Sequence, residues 1–87
     1  MPRVFVPAPL RPLCREHEFV DVAGTNVRGV LDEMDRRFPG FKAGLCDGDR
    51  LRTGLAVVVD GAARPLGLLQ PVGESSEVHF LPAVGGG

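Results

Sequence analysis

No run of apolar residues in this chain approaches the ~20 that a bilayer-spanning helix requires. The opening Met1-Pro2-Arg3-Val4-Phe5-Val6-Pro7 also lacks the long apolar region and small-residue cleavage site of a secretory signal. Both absences point to the cytoplasm and away from a membrane. An excess of either charge is missing too. Ten basic residues against eleven acidic ones leave a net charge of −1, with the two signs interspersed, and this argues against nucleic-acid binding by bulk electrostatics while leaving room for local patches of either sign. Cysteine is scarce. Cys14 and Cys46 stand alone, with no Cys-x-x-Cys pair and no histidine set beside them, so they read as two reduced, partly buried thiols rather than metal ligands or a redox pair. Lysine is scarcer still, with Lys42 the single example. Length sets the last limit. Eighty-seven residues make one domain, which buries about 60–65% of its unfolded surface and leaves little room for a deep substrate pocket.

What is present reads as a small mixed domain. Val4-Phe5-Val6 begins a strand that Pro7, Pro9 and Pro12 interrupt, because proline donates no ladder hydrogen bond. Arg15 to Val22 is the expected return strand. Gly24-Thr25-Asn26 marks a helix start, with Thr25 or Asn26 as the cap. Val27, Val30, Leu31, Met34 and Phe38 follow at helical spacing and form one apolar stripe. Pro39-Gly40 stops the helix, so it spans roughly Asn26 to Phe38. Phe41 to Thr53 reads as a loop. Leu55 to Val59 is a strand closed by the turn signal Asp60-Gly61, Leu66 to Val72 is irregular, and Val78 to Leu81 is the last strand, ended by Pro82.

The order strand, strand, helix, strand, strand lets the first and last strands pair in the middle of a sheet. An α+β architecture of the β-grasp type fits, with a mixed four- to five-stranded sheet packed on one main helix. A ferredoxin-like split βαβ needs a second helix between the last strands, and prolines and glycines break up residues 62–76. The expected division is a β-grasp domain over 1–82 and a flexible glycine tail over 83–87.

Few side chains offer chemistry. His17 and His79 read as surface or structural residues, and Ser75-Ser76 as turn residues. Asp32, Glu33 and Asp35 form a solvated helix face. Asp47-Gly48-Asp49 lacks the further ligands of a calcium loop. The C-terminal Phe80-Leu81-Pro82-Ala83-Val84-Gly85-Gly86-Gly87 is more informative. Bare glycines bury nothing and cost the most entropy to order. They suit a tail whose carboxylate is threaded into another protein's narrow channel, and they equally suit a frayed terminus or a cloning remnant.

With this pattern assembled, the chain resembles the ubiquitin-like sulfur carriers: the small subunit of molybdopterin synthase, the thiamine sulfur carrier and the cysteine-biosynthesis carrier. The carrying residues are Glu77 to Gly87, the helix segments Asn26 to Asp32 and Arg37 to Gly40, the turn Val57-Val58-Val59-Asp60-Gly61 and the early Leu10-Arg11. Ser75-Ser76 replaces the family's Gly-Asp, and Pro7-Ala8-Pro9 is unusual.

The resemblance implies a protein co-substrate rather than an enzyme, with no catalytic or metal-binding residues and no bound cofactor of its own. It implies an E1-like adenylyltransferase that uses ATP and Mg²⁺ to adenylate Gly87, then a thiocarboxylate on Gly87 that is handed to a sulfur-acceptor enzyme. Gly85 and Gly86 would give access. Strand alternation turns Phe5, Val58 and Leu81 away from the helix. With Pro7, Pro82 and Val84 they form the expected partner-docking patch. A ubiquitin-like modifier forming isopeptide bonds through Gly87 is the alternative, as is a β-grasp binding module whose glycines are inert.

Overall fold

The computed structural model describes residues 1–83. Strand β1 (Arg3–Phe5) leads through a 3₁₀ segment (Ala8–Cys14) to β2 (Phe19–Asp21). Helix α1 (Val27–Arg37), a short α2 (Phe41–Leu45), the small hairpin β3 (Cys46–Asp47) and β4 (Arg50–Leu51), then β5 (Leu55–Val59) and β6 (Ala62–Ala63) follow. A 3₁₀ turn (Gly67–Leu69) precedes β7 (Glu77–Pro82). The main sheet has five strands in the order β2-β1-β7-β5-β6. At its centre β1 runs parallel to β7, with Arg3 opposite Glu77 and Val4 opposite Val78. All other neighbours are antiparallel. This is the expected β-grasp. The split βαβ alternative fails because only β6 and one 3₁₀ turn lie between β5 and β7.

The helix stripe behaves as its spacing dictates. Val27, Val30, Leu31 and Met34 are wholly buried. They meet Val4, Val6, Val57, Val59, Val78 and Phe80, the inward-facing residues of the sheet, in one core. Asn26 is the cap: its Oδ1 accepts the Gly29 N–H at 2.8 Å. Phe38 is only half-buried, because it sits at the helix C-cap with φ −131° and ψ 81°. Asp60 and Gly61 both adopt positive φ, 52° and 84°. That is the primed turn that a two-residue hairpin between β5 and β6 requires.

Two expectations are corrected. The return strand does not begin at Arg15. Arg15 and Glu16 both adopt positive φ, 54° and 63°, and close the 3₁₀ segment, with Glu16 N–H donating to Arg11 O at 2.7 Å. The buried Cys14 anchors that turn, so pairing starts only at Phe19. Phe41 to Thr53 is not a loop but holds α2 and the β3–β4 hairpin. Phe41 and Leu45, one turn apart, are both buried. The start of α2 is fixed from the preceding helix, since Asp35 Oδ1 accepts the Gly40 and Lys42 N–H groups at 3.1 Å each.

Candidate functional site

The last strand is the centre of the sheet and the element that leads to the C-terminal residues, so its surroundings define the site. Its even positions Val78 and Phe80 point into the core, and Glu77, His79 and Leu81 point out. Opposite them on β5 stand Val58 against His79 and Ala56 against Leu81. On the other side, Phe5 lies flat on His79, with ring centroids 4.1 Å apart and 9° between planes. Phe19 tilts against Phe5 at 5.8 Å. The Arg3 guanidinium covers Phe19 at 3.9 Å and forks onto Asp21 at 2.9 and 3.3 Å. A strip of Phe19, Phe5, His79 and Val58 therefore crosses the outer face.

Of the expected docking residues, Phe5 and Val58 are half-buried and Leu81 is 46% exposed. His79 stands between Phe5 and Val58 in the strip. Its place agrees with the surface or structural role expected from the sequence, and its stack on Phe5 follows from the β1–β7 register. Phe19 and Arg3 were not singled out. Pro7, Leu81 and Pro82 line a groove, described below, whose wall also includes Phe5 and His79. Val84, Gly85, Gly86 and Gly87 lie outside the described residues. The Ala83 N–H donates to Gly54 O at 2.8 Å, so sheet hydrogen bonding reaches one residue past Pro82.

The groove arises because the parallel ladder stops early. Pairing of β1 with β7 ends at Val4 and Val78, whereas β7 continues to Pro82. Pro7, with no N–H to give, turns the chain out into the 3₁₀ segment. Between that segment, α2 and the end of β7 lies a groove of about 540 Å³, walled by Pro7, Leu10, Leu45, Leu55, Leu81 and Pro82. Arg11 and Glu18 supply its charges. It is a surface groove between elements, in keeping with the small core.

The charged residues of α1 are largely paired. Lys42 Nζ meets Asp32 at 2.7 Å. Arg36 pairs with Glu33, and Arg37 lies 3.6 Å from the same carboxylate. Of the acidic helix face, Glu33 is thus paired within α1 and Asp32 from α2, while Asp35 accepts backbone N–H groups. Cys14 and Cys46 are free and buried, and desolvation pushes both thiols above their ordinary range. Among the described residues no cluster of three His, Cys, Asp or Glu side chains could hold a metal ion. No helix of the described residues is long and apolar enough to cross a membrane.

Comparison with known proteins gives a consistent picture. The sequence model of the ThiS family matches residues 4–87. A comparison with curated proteins returns no match. A chain of the BexX/CysO complex of Amycolatopsis orientalis superposes with a TM-score of 0.88 at 28% identity, over 100% of both chains. CysO of Mycobacterium tuberculosis, described as an antigen, superposes with a TM-score of 0.86 at 22% identity, over 97% of this chain and 100% of that one. The small archaeal modifier protein 1 of Methanosarcina acetivorans gives 0.76 at 24% identity, over 99% and 95%. The last two speak for the fold alone.

Proposed function

The chain belongs to the ThiS family of ubiquitin-like sulfur carriers, and we propose that it carries sulfur on the carboxylate of Gly87 as a protein co-substrate. The observation that carries this reading is that the family match runs to the final glycine, Gly87, at the end of a segment launched from the central strand of the sheet. In this reading residues 1–82 are the docking body and 83–87 the arm, with Gly85 and Gly86 slim enough to enter a partner's channel.

The chemistry follows from the weakness of a carboxylate as an electrophile. An E1-like partner holding ATP and Mg²⁺ would let a Gly87 carboxylate oxygen attack the α-phosphorus, with pyrophosphate leaving. Sulfide would then attack the acyl carbon of the adenylate and release AMP. A persulfide could serve instead, its S–S bond afterwards reduced by a thiol. The product is a thiocarboxylate, ionised at neutral pH and nucleophilic at sulfur, for an acceptor enzyme in cofactor, cysteine or metabolite biosynthesis. The carrier's own contribution is position. Docking would use Phe5, Pro7, Val58, Leu81, Pro82 and Val84. The Amycolatopsis orientalis relative was solved in a complex of BexX with CysO, which supports a partner enzyme for this chain as well. The two unpaired thiols suit a reducing compartment, the cytoplasm.

The test is intact mass after incubation with the cognate activating enzyme, ATP and a sulfur donor. The expected result is a gain equal to the difference between one sulfur and one oxygen, localised to Gly87. Deleting Gly87 shortens the arm by ~3.3–3.6 Å and abolishes the gain, since even ~1 Å of misplacement can cost ~100-fold in rate. Sulfur on Cys14 or Cys46 with Gly87 unmodified would overturn the reading. An amide from Gly87 to another protein's lysine, with no thiocarboxylate, would replace it with the modifier reading.

A further inference from the structure

Leu66 and Leu69 flank the 3₁₀ turn that precedes β7, and both are more than half exposed, at 55% and 68%. Leu68 between them is buried and ties the turn to the core. The turn packs against α1 and β4. Where the three meet lies a concavity of about 340 Å³, lined by Arg28, Asp49, Arg50, Leu51, Leu66 and Leu69. The two exposed leucines add nothing to the core, and neighbouring exposed apolar side chains with a charged rim mark an interaction surface.

Arg28 is held there at a local cost. It stands in the first turn of α1, which holds no acidic residue, and a cation at that end opposes the helix dipole. Its Nε is buried, with no acceptor among the described residues. A long side chain escapes such a penalty by swinging into water, and this one does not. Its ion pair, Nη2 to Asp49 at 3.3 Å, engages a carboxylate that is 92% exposed, a kind of pair worth little to the fold. Arg50 is exposed and forms no ion pair among the described residues. Two guanidiniums therefore share one loosely held carboxylate beside two bare leucines. Local costs that the domain itself does not recover are expected where a residue serves something outside it.

We propose that this is a second docking surface, for a protein segment in which an Asp or Glu side chain is flanked by apolar residues. The incoming carboxylate takes the Arg28 Nη groups in place of Asp49, with Arg50 alongside, and the apolar flanks cover Leu66 and Leu69. A small molecule held in the concavity would leave both leucines largely in water. A nucleic acid would find two cations beside a carboxylate in a chain of net charge −1, too few phosphate contacts to hold it. Helix α1, about 16 Å long, keeps this surface apart from the groove at the end of β7. Arg28 lies in its first turn, whereas α2, which follows its last turn, supplies Gly44 and Leu45 to that groove. A partner seated here leaves the end of β7 open to another.

The experiment is a titration of the ¹⁵N-labelled chain, followed by amide chemical shifts, with a capped pentapeptide of alternating leucine and glutamate. The expected result is a saturable set of shifts at Arg28, Arg50 and Leu66 to Leu69, with Leu81 unmoved. Replacing glutamate by glutamine in the peptide, or Arg28→Gln in the chain, should weaken binding at least about tenfold, the scale of a lost charged hydrogen bond. Leu69→Ser should weaken it too, with the melting temperature unchanged. Should Arg28→Gln disturb the fold, the exposed Arg50→Gln replaces it as the charge test. Four results would each overturn the proposal. They are no saturable shifts, equal affinity for the glutamine peptide, shifts centred on Leu81, and affinity indifferent to Leu69→Ser with inorganic phosphate moving the same amides (a bare anion site). Shifts at these residues that grow with the concentration of the chain alone would also overturn it, by making a second copy the occupant. The titration uses neither activating enzyme nor ATP, so its outcome is independent of the sulfur-carrier reading.

Discussion

Asp60 and Ser76 tie the β5–β6 turn to the start of the central strand. The Ser76 hydroxyl donates to Asp60 Oδ2 at 2.9 Å and accepts the Gly73 N–H at 2.8 Å, while Asp60 Oδ1 accepts the Glu77 N–H at 2.9 Å. Ser76, expected from the sequence to be a turn residue, thus both closes its own turn and clamps a neighbouring one.

This clamp makes stability pH-dependent. The Glu77 backbone N–H, and then the Ser76 hydroxyl, hold the Asp60 carboxyl below its usual range. A depressed carboxyl contributes stability that is fully present above its unfolded value, about 3.9, and is lost as pH falls through the folded value. Asp60→Ala should therefore lower the melting temperature at pH 7, with the gap to the unsubstituted chain narrowing below about pH 4. Thermal melts across pH check this. A gap that stays constant into acid would remove the carboxylate from the account.

The core offers a larger effect. Leu31 is wholly buried in the centre of the α1 stripe. Leu31→Ala should cost ~2–5 kcal/mol, and at about 4–8 °C per kcal/mol for a domain of this size the fall in melting temperature would be plain. A silent substitution would contradict the packing.

Gly24 tests a closer approach. A Cβ there would stand 2.7 Å from Val30 Cγ2 and 2.9 Å from the Val30 backbone nitrogen. The helix backbone has nowhere to go, so Gly24→Ala should destabilise by about 1–3 kcal/mol, the usual cost of overpacking. Chemical denaturation measures it, and an unchanged midpoint would show that the strand-to-helix connection yields freely.

Leu81→Asp probes docking. Leu81 points out of the sheet and is exposed, so the free domain should keep its melting temperature. Binding to the activating enzyme should weaken at least tenfold, because the new carboxylate would be desolvated without a partner. Calorimetric titration decides, and undiminished affinity would take Leu81 out of the docking surface.

The elements legible in the sequence are those that carry their own periodicity. Val27 to Met34 announce α1 by spacing, Leu55 to Val59 form β5 as read, and Asp60-Gly61 fix their turn locally. Helix α2 was hidden because five residues give barely one repeat of the apolar face, and its start is held by Asp35 from another helix. The late start of β2 was hidden because arginine and glutamate in the left-handed region carry no glycine or asparagine signal. The stack of His79 on Phe5 was not legible because it depends on the pairing of β1 with β7, which no local window contains. The groove depends on Pro7 ending a parallel ladder whose existence is itself non-local. Gly85, Gly86 and Gly87 were conspicuous from composition, but their chemistry came only from likeness to a family.

The pairing of Arg3 with Glu77 places the last-synthesised strand between the first and β5. During translation the sheet therefore lacks its middle until β7 has emerged. Contacts that span nearly the whole chain are the slow ones to form, so a nascent or damaged copy would reach completion late or not at all. Such a copy would lack the ordered strand that leads to its final residues. Among the described residues the two halves of the sheet, β1 with β2 and β5 with β6, thus have no hydrogen-bonded contact with each other except through β7.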